Sequence, residues 1–600
     1  MNRHRDGGRR GAQDRKIGDR VSGTVLAPGK VVKGNPQETL MANSPPRVNA
    51  SHPSGTLLLV CGGNPPRRTD LKQRWVLRSL CHGWQRIWGG LGQKLGQKLG
   101  QKLGQKPGRS PWAYGLVGLG LSLSLGLGLN LGPQAAPVLA QGTGGAPPQH
   151  YSDLTFPPLP AITLPDYDRI TLDNGLVIYL VEDHELPLVQ GSALVRVGDR
   201  WEPADKVGLG GLTGQLLRGG GTQHHSFGEI NQFLEDRAAS IETSIGTTAG
   251  RASFSALRED LDSVLDLFVE ILREPAFAAD RLALAKNRTA GSIARRNDDP
   301  GGIAQREFGK LLYGSDSPYG ATLEYDDLAA ITRDDVVAFY ETYVHPDGIL
   351  LGIVGDFDRV SLRQKLETLL GDWPAAGLDL PPLPAVDTTP GGGLFTVDQP
   401  QLTQSYVQLG QLGGQLDSPD YPALSVLNEV LNGFGGRLYN EVRSRQGLAY
   451  SVYSYWSPNY DFPGTFVAGG QTRTEATLPF LRAVTQEIEA VRQAPIAPEE
   501  LQYAKDVVLN SFVFGFQSPG QTLSRLMTYD YYGYPSDFVF QYQRGVEAVT
   551  LEDVQRSAQT YLQPDHWITL VVGNVAAIAT DLAQWGSATA IDITIPDPPQ

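Results

Sequence analysis

The sequence predicts an α+β fold of two homologous α/β sandwiches, each a mainly antiparallel sheet with helices on one face. Three observations carry this expectation. The segment ITRDDVVAFYETYVHPDGILLGIVGDF (331–357) aligns with VTLEDVQRSAQTYLQPDHWITLVVGNV (549–575) at a constant offset of 218. Thr332 then falls on Thr550, Asp335 on Asp553, Tyr343 on Tyr561, Pro346 on Pro564 and Gly355 on Gly573. Upstream, REPAFAADRLALAK (273–286) resembles RQAPIAPEELQYAK (492–505) in the same order, which predicts a duplicated unit of about 220 residues. Finally, each unit mixes strand and helix patterns, the composition of a sheet with helices packed on it.

Taken in order, residues 1–110 are basic and of low complexity, with LGQKLGQKLGQKLGQK at 91–106. Such a segment has too little apolar variety to offset its ordering entropy and is expected to be disordered. Residues 111–140 follow Lys102, Lys106 and Arg109 with an uncharged run that closes on Val138-Leu139-Ala140. Basic, apolar and small-residue regions in that order predict a secretory signal cleaved after Ala140. An uncleaved anchor over Trp112–Leu131 is the alternative. A linker (141–160) leads to a first sandwich over 161–384. Within it, YDRITLDNGLVIYLVED (167–183) holds two β-type runs around Asp173-Asn174-Gly175, a hairpin signal. LREDLDSVLDLFVEILREP (257–275) sets Leu257, Leu261, Val264, Leu265, Phe268 and Leu272 on one helical face, with Pro275 as a stop. GILLGIVGDF reads as a buried strand. AVDTTPGGGL (385–394) is a Gly/Pro linker, and the second sandwich occupies 395–590, with WITLVVGNV as its buried strand.

Charge and cysteine usage narrow the chemistry. Residues 1–140 hold 21 of the 51 basic residues and 5 of the 64 acidic ones, leaving 30 against 59 beyond, a net −29. Phosphate repulsion argues against a nucleic-acid partner. Both cysteines, Cys61 and Cys81, precede residue 140. The chain beyond has no disulfide, no thiol chemistry and no cysteine-ligated metal.

The motifs LDNGLVIYLVED (172–183), a Gly-Leu helix at 208–217 followed by GGGT, ARRNDDP (294–300) and LNGFGGRLYNEVRSRQGLAYSV (431–452) together resemble the pitrilysin/insulinase zinc metallopeptidases. The similarity is strongest to their processing-peptidase-like subfamily and spans about 160–590. Members of that family carry H-x-x-E-H on the helix after the first strands, two zinc-binding histidines around a glutamate that activates water, and a further glutamate downstream. Set on the Gly-Leu pair, this chain has Gly211, Gly214 and Gln215 at those positions. Set on Asp298-Asp299-Pro300, it has Gly291 and Ser292 where the downstream ligand belongs. Zinc takes imidazole, thiolate or carboxylate donors, so the resemblance implies a degenerate site and no metal in this chain. His224 and His225 are a candidate for a displaced site, but Ser226 and Glu229 read as a capping box that puts both histidines in a loop. His184, His345 and His566 have no metal-like spacing.

The second sandwich keeps what the first lacks. RSRQGLAY places Arg443 and Tyr450 seven residues apart, where the resemblance implies an Arg/Tyr pair that holds and polarises substrate peptide. Without the resemblance, a solvated arginine and a core tyrosine would be expected. Arg445 has the wrong spacing to Tyr450. The FGG run at 434–436 reads either as a substrate-admitting loop or as a simple helix-start turn. The resemblance therefore implies a zinc-free, substrate-binding subunit of an exported heterodimeric metalloendopeptidase, paired with a homologous zinc-bearing subunit and acting on peptides. The periplasm is the expected compartment, a thylakoid lumen or extracellular site being the others. A non-proteolytic scaffold or binding protein derived from a processing peptidase is the competing expectation.

Overall fold

The computed structural model describes residues 162–389 and 391–599. The basic segment, the signal at 111–140 and the linker at 141–160 lie outside the described residues. The first half runs β1 (Asp168–Thr171), β2 (Val177–Glu182), β3 (Leu188–Val195), α1 (Leu209–Gly219), α2 (Phe227–Arg237), β4 (Ser240–Ile245) and β5 (Gly250–Leu257). It continues with α3 (Leu261–Arg273), α4 (Ala279–Ala294), α5 (Pro300–Tyr313), α6 (Tyr325–Ala330), α7 (Arg333–Tyr343), β6 (Ile349–Gly355) and α8 (Arg359–Leu370). The second half runs β7 (Gly393–Asp398), β8 (Gln404–Leu412), α9 (Tyr421–Leu431), a π-helical turn (Tyr439–Arg445), β9 (Ala449–Ser457) and β10 (Thr465–Arg473). Then come α10 (Thr477–Gln493), α11 (Pro498–Val513), α12 (Pro519–Tyr532), α13 (Phe538–Ala548), α14 (Leu551–Tyr561), β11 (Ile568–Gly573), α15 (Val575–Leu582) and β12 (Ala588–Ala590).

The strands form two six-stranded sheets, β1-β2-β6-β3-β5-β4 and β12-β7-β11-β8-β10-β9. From β2 and β7 outward the two share strand senses: a parallel pair first (β2/β6 and β7/β11), then antiparallel pairs to the edge. The α+β class holds. The turn at Asp173-Asn174-Gly175 joins β1 to β2, and Gly175 takes φ 88°, a conformation only glycine adopts without strain. Leu257 departs from expectation. It ends β5, and the helix starts at Leu261 after one 3-10 turn, so the apolar spacing continued across an element boundary. β7 starts at Gly393, inside the stretch read as linker.

The halves match down to single hydrogen bonds. Thr332 and Asp335 cap α7 as Thr550 and Asp553 cap α14. Lys286 on α4 donates to the carbonyls of Ala329 and Ile331, and Lys505 on α11 donates to those of Glu547 and Val549.

To the expected plan the structure adds an exchange. Each sheet carries its own helices on one face, around Leu180, Phe254 and Phe268 in the first half and Leu409, Phe466 and Phe480 in the second. The opposite face of each sheet is covered by a helix from the other half. Ile303, Ala304, Phe308 and Leu312 of α5 pack on Val397, Ile568, Leu570 and Val572. Leu523, Met527 and Tyr531 of α12 pack on Tyr179, Val181, Leu194 and Leu350. Arg200, 5% exposed, meets Asp461 at 2.8 Å across the same junction. Tyr179 and Arg169 both donate to the Asp530 carboxylate, at 2.6 and 2.9 Å. Among the described residues no helix is long and apolar enough to cross a membrane.

Exchanged helices should make the halves melt together. Chemical denaturation followed by fluorescence and circular dichroism is expected to give one coincident transition, and Phe308→Ala should lower stability by about 3–5 kcal/mol without splitting it. Two resolved transitions would contradict the exchange.

Candidate functional site

The helix that would bear zinc chemistry is α1. Its start is set by Gly208, at φ 93°, and by Glu202, whose carboxylate accepts from the backbone N–H of Gly208 at 2.7 Å and of Gly210 at 2.9 Å. This anchor uses two of the N–H groups that every helix start leaves open. Burial pushes the Glu202 carboxyl up to about 7, against the opposing effect of those two bonds, and Asp199 nearby adds to the rise. Leu209, Leu212 and Leu216 face the core.

The three motif positions on α1 have different surroundings. Gly211 and Gln215 are exposed on the outer side. Gly211 borders open space, so a Cβ there would meet nothing within 4 Å. Gly214 is buried against the edge strand β4, and a Cβ there would lie 2.1 Å from the Ile245 backbone nitrogen. Thr243 clamps the contact: its hydroxyl donates to the Gly214 carbonyl at 2.7 Å and accepts from the Arg218 N–H at 3.3 Å. Backbone of β4 thus occupies the space a glutamate at 214 would require. At the downstream position Gly291 has no side chain, and the exposed Ser292 hydroxyl donates to the Arg288 carbonyl at 3.3 Å. These residues do not fit a zinc ion, since none offers imidazole, thiolate or carboxylate. Among the described residues no group of three or more His, Cys, Asp or Glu could hold a metal.

The histidines serve elsewhere. Ser226 and Glu229 form the capping box of α2. In the loop before it, His224 meets Glu274 at 2.8 Å and His225 meets Glu270 at 2.9 Å, tying the loop to the end of α3. His184 contacts Asp356 at 2.5 Å and Glu182 at 2.9 Å. His345 and His566 bond locally, to the Glu341 carbonyl and to Gln563.

Arg443 and Tyr450 are brought together. Arg443 lies on the π-helical turn and Tyr450 on the edge strand β9. The guanidinium sits 4.9 Å from the Tyr450 ring centre and 4.8 Å from that of Tyr439, so two aromatic faces sandwich it. Stacking engages the faces and leaves the in-plane N–H edge able to donate. Tyr450 is 82% exposed, which rules out a core role. Phe434, also 82% exposed, meets Tyr439 edge-on at 5.2 Å and extends the surface. Gly435 and Gly436 are closely approached positions, with room for a Cβ denied by the Tyr503 ring at 2.5 Å and by the Asn432 carbonyl at 1.8 Å. Arg445 turns to Glu441 instead. The motif reading missed Tyr439 and took Phe434 only as part of the FGG run. Tyr439, one helical turn before Arg443, was the available signal.

The chain is similar to several known proteins. Residues 330–508 match the family described as the Peptidase M16 inactive domain. An uncharacterized zinc protease of Mycobacterium leprae is 26% identical over 372 residues, covering 60% of this chain and 81% of its own. A non-peptidase homolog of Helicobacter pylori is 22% identical over 403 residues, 66% of this chain and 91% of its own. Among solved structures, a peptidase M16 inactive domain from Pseudomonas fluorescens superimposes with a TM-score of 0.60 at 26% identity, over 68% of this chain and 98% of that one. The resemblance to the pitrilysin/insulinase, or M16, peptidases is borne out, and this is an M16-peptidase-like chain.

Two outcomes follow for α1. Gly211→Ala is expected to raise stability by about 1 kcal/mol, the ordinary gain of alanine over glycine in a helix. Gly214→Ala should lower it by roughly 1–3 kcal/mol or more, because helix and strand must separate. Equal effects in thermal unfolding would refute the close contact. For Glu202 the folded state holds its proton up to about 7, while an unfolded glutamate releases it near 4.5. Its contribution is fully present below that lower value and is lost as pH rises through the folded one. Glu202→Gln should therefore flatten the fall in stability between those limits, measured by denaturation at stepped pH.

Proposed function

We propose that this chain is the zinc-free, substrate-binding subunit of an exported, two-chain metalloendopeptidase. The observation that carries the reading is the contrast between its two motif regions. On α1 the positions for metal ligands and general base have no suitable side chain, and one is filled by strand backbone. On the second half, the half-buried Arg443 and the exposed Tyr450 stand stacked, and neither side chain donates a hydrogen bond among the described residues. A guanidinium edge and a phenol can both donate to a peptide carbonyl and to the oxyanion that forms from it. The pair supplies polarisation and not a nucleophile, so the attacking water and its zinc belong to a homologous partner carrying H-x-x-E-H. We take the match between the halves as the trace of an internal duplication. The segment at 111–140 would direct the chain across a membrane, with the periplasm as the compartment.

The test is reconstitution. Co-expressed with a homologue that retains H-x-x-E-H, the chain should co-purify and the complex should cleave unstructured peptides, while either subunit alone does not. Arg443→Ala and Tyr450→Phe should each reduce kcat/KM by about 100-fold, the scale of losing one oxyanion donor, with the complex still intact by gel filtration. Unchanged activity in both variants would refute the role of the pair. A stable assembly without a zinc-bearing subunit would instead favour a non-proteolytic scaffold.

A further inference from the structure

Between α9, α11, α12 and α13, beside Trp456 of β9, lies an open cavity of 350 Å³. Half of its lining is aromatic, including Tyr421, Trp456, Phe512, Tyr529, Phe538 and Tyr542. They are held by one another, Tyr421 stacked on Tyr542 at 4.8 Å, Phe512 against Tyr542 at 5.5 Å, and Tyr529 edge-on to Phe538 at 5.3 Å. Two charged side chains share this lining, Glu429 from α9 and Arg525 from α12.

Neither charge is neutralised within the described residues. Glu429 is half-buried, and burial alone pushes its carboxyl above the ordinary value, with no bond or neighbouring cation to offset it. Arg525 lies over the Phe516 ring at 5.1 Å and beside the Tyr529 hydroxyl, and meets no carboxylate. The two do not form an ion pair with each other. Holding opposite charges apart in an aromatic cavity carries a desolvation cost that a direct pair or apolar replacements would avoid. A ligand bearing both charges would offset it at both ends. A simple cation would leave Arg525 unmatched, and a simple anion would leave Glu429 so.

We propose that this cavity binds a small zwitterion, a free amino acid or a short peptide, with its ammonium on Glu429, its carboxylate on Arg525 and an apolar side chain among the rings. The volume lies at the lower end of the range for small-molecule sites, as such a ligand requires. Arg443 and Tyr450 do not line the cavity, so the inference stands or falls apart from the role given to them.

Calorimetric titration of the full-length chain with L-phenylalanine, L-leucine and the dipeptide Leu-Leu tests it, each compared with its N-acetylated and C-amidated forms. Saturable binding is expected for at least one free form, weakened about ten-fold or more by either block and by Glu429→Gln or Arg525→Gln. Arg525→Lys, which keeps the charge, should retain part of the affinity, and circular dichroism should show each variant folded. Preference for the amino acid or for the dipeptide reports the spacing of the two charges. No binding by any free form, equal binding of blocked and free forms, or tetramethylammonium binding that is indifferent to Arg525→Gln would overturn the proposal.

Discussion

The exchange of α5 and α12 between the halves is the constraint on which the remaining architecture rests. Each sheet has two apolar faces, and its own helices cover only one. Without α5, the face formed by Val397, Ile568, Leu570 and Val572 would meet water, and without α12 so would that of Tyr179, Val181 and Leu350. Burying a large apolar side chain contributes about 1.5–3 kcal/mol, so each helix stabilises a sheet to which it does not belong in sequence. Neither half can be regarded as a free-standing domain. The polar contacts at the junction, Arg200 with Asp461 and the Asp530 carboxylate with Arg169 and Tyr179, add orientation to an attachment whose strength is apolar. A buried ion pair is weak evidence for stability but good evidence for a fixed geometry.

That fixed frame sets the position of α1. Its apolar stripe, Leu209, Leu212 and Leu216, keeps it in the core, and Glu202 holds its start. The side toward β4 is closely packed. With glycine at 214 the helix settles on the strand closely enough for Thr243 to bond the Gly214 carbonyl. The strand backbone stands where a side chain at 214 would lie. Glycine inside a helix costs about 1 kcal/mol, and the Thr243 bond and the tighter packing offset some of that at Gly214. Gly211, facing open solvent, has no such return.

The same distinction marks what the sequence made legible. Motif alignment locates residues along the chain, and it placed Gly211, Gly214, Gln215, Arg443 and Tyr450 without showing their depth. Gly211 and Gly214 look equivalent as letters, but one faces water and the other a strand. The fold class was readable because the repeated blocks carry their caps and buried strands with them, as the paired bonds of Lys286 and Lys505 illustrate. Leu257 was misplaced because a strand's last residue happened to continue a helical spacing. The helix exchange left no local signal at all. The apolar residues of α5 look the same whether they pack on the first sheet or the second, and only the tertiary structure decides.

The surface around Arg443 shows why two motif residues were not the whole arrangement. An arginine with freely rotating bonds must be ordered before it can hold a carbonyl, and that entropy opposes binding. Tyr439 and Tyr450 restrict the guanidinium between two rings, and the turn that carries Tyr439 and Arg443 is π-helical, a geometry that recurs at functional sites. Exposing Phe434 and Tyr450 forgoes burial that the rest of the chain secures for nearly every large apolar side chain. With Tyr439 and the Arg443 guanidinium they form an aromatic, donor-bearing ledge at a sheet edge. The two halves therefore present opposite arrangements on one frame: α1 lies closed against its strand, and the π-helical turn holds its side chains open to whatever approaches.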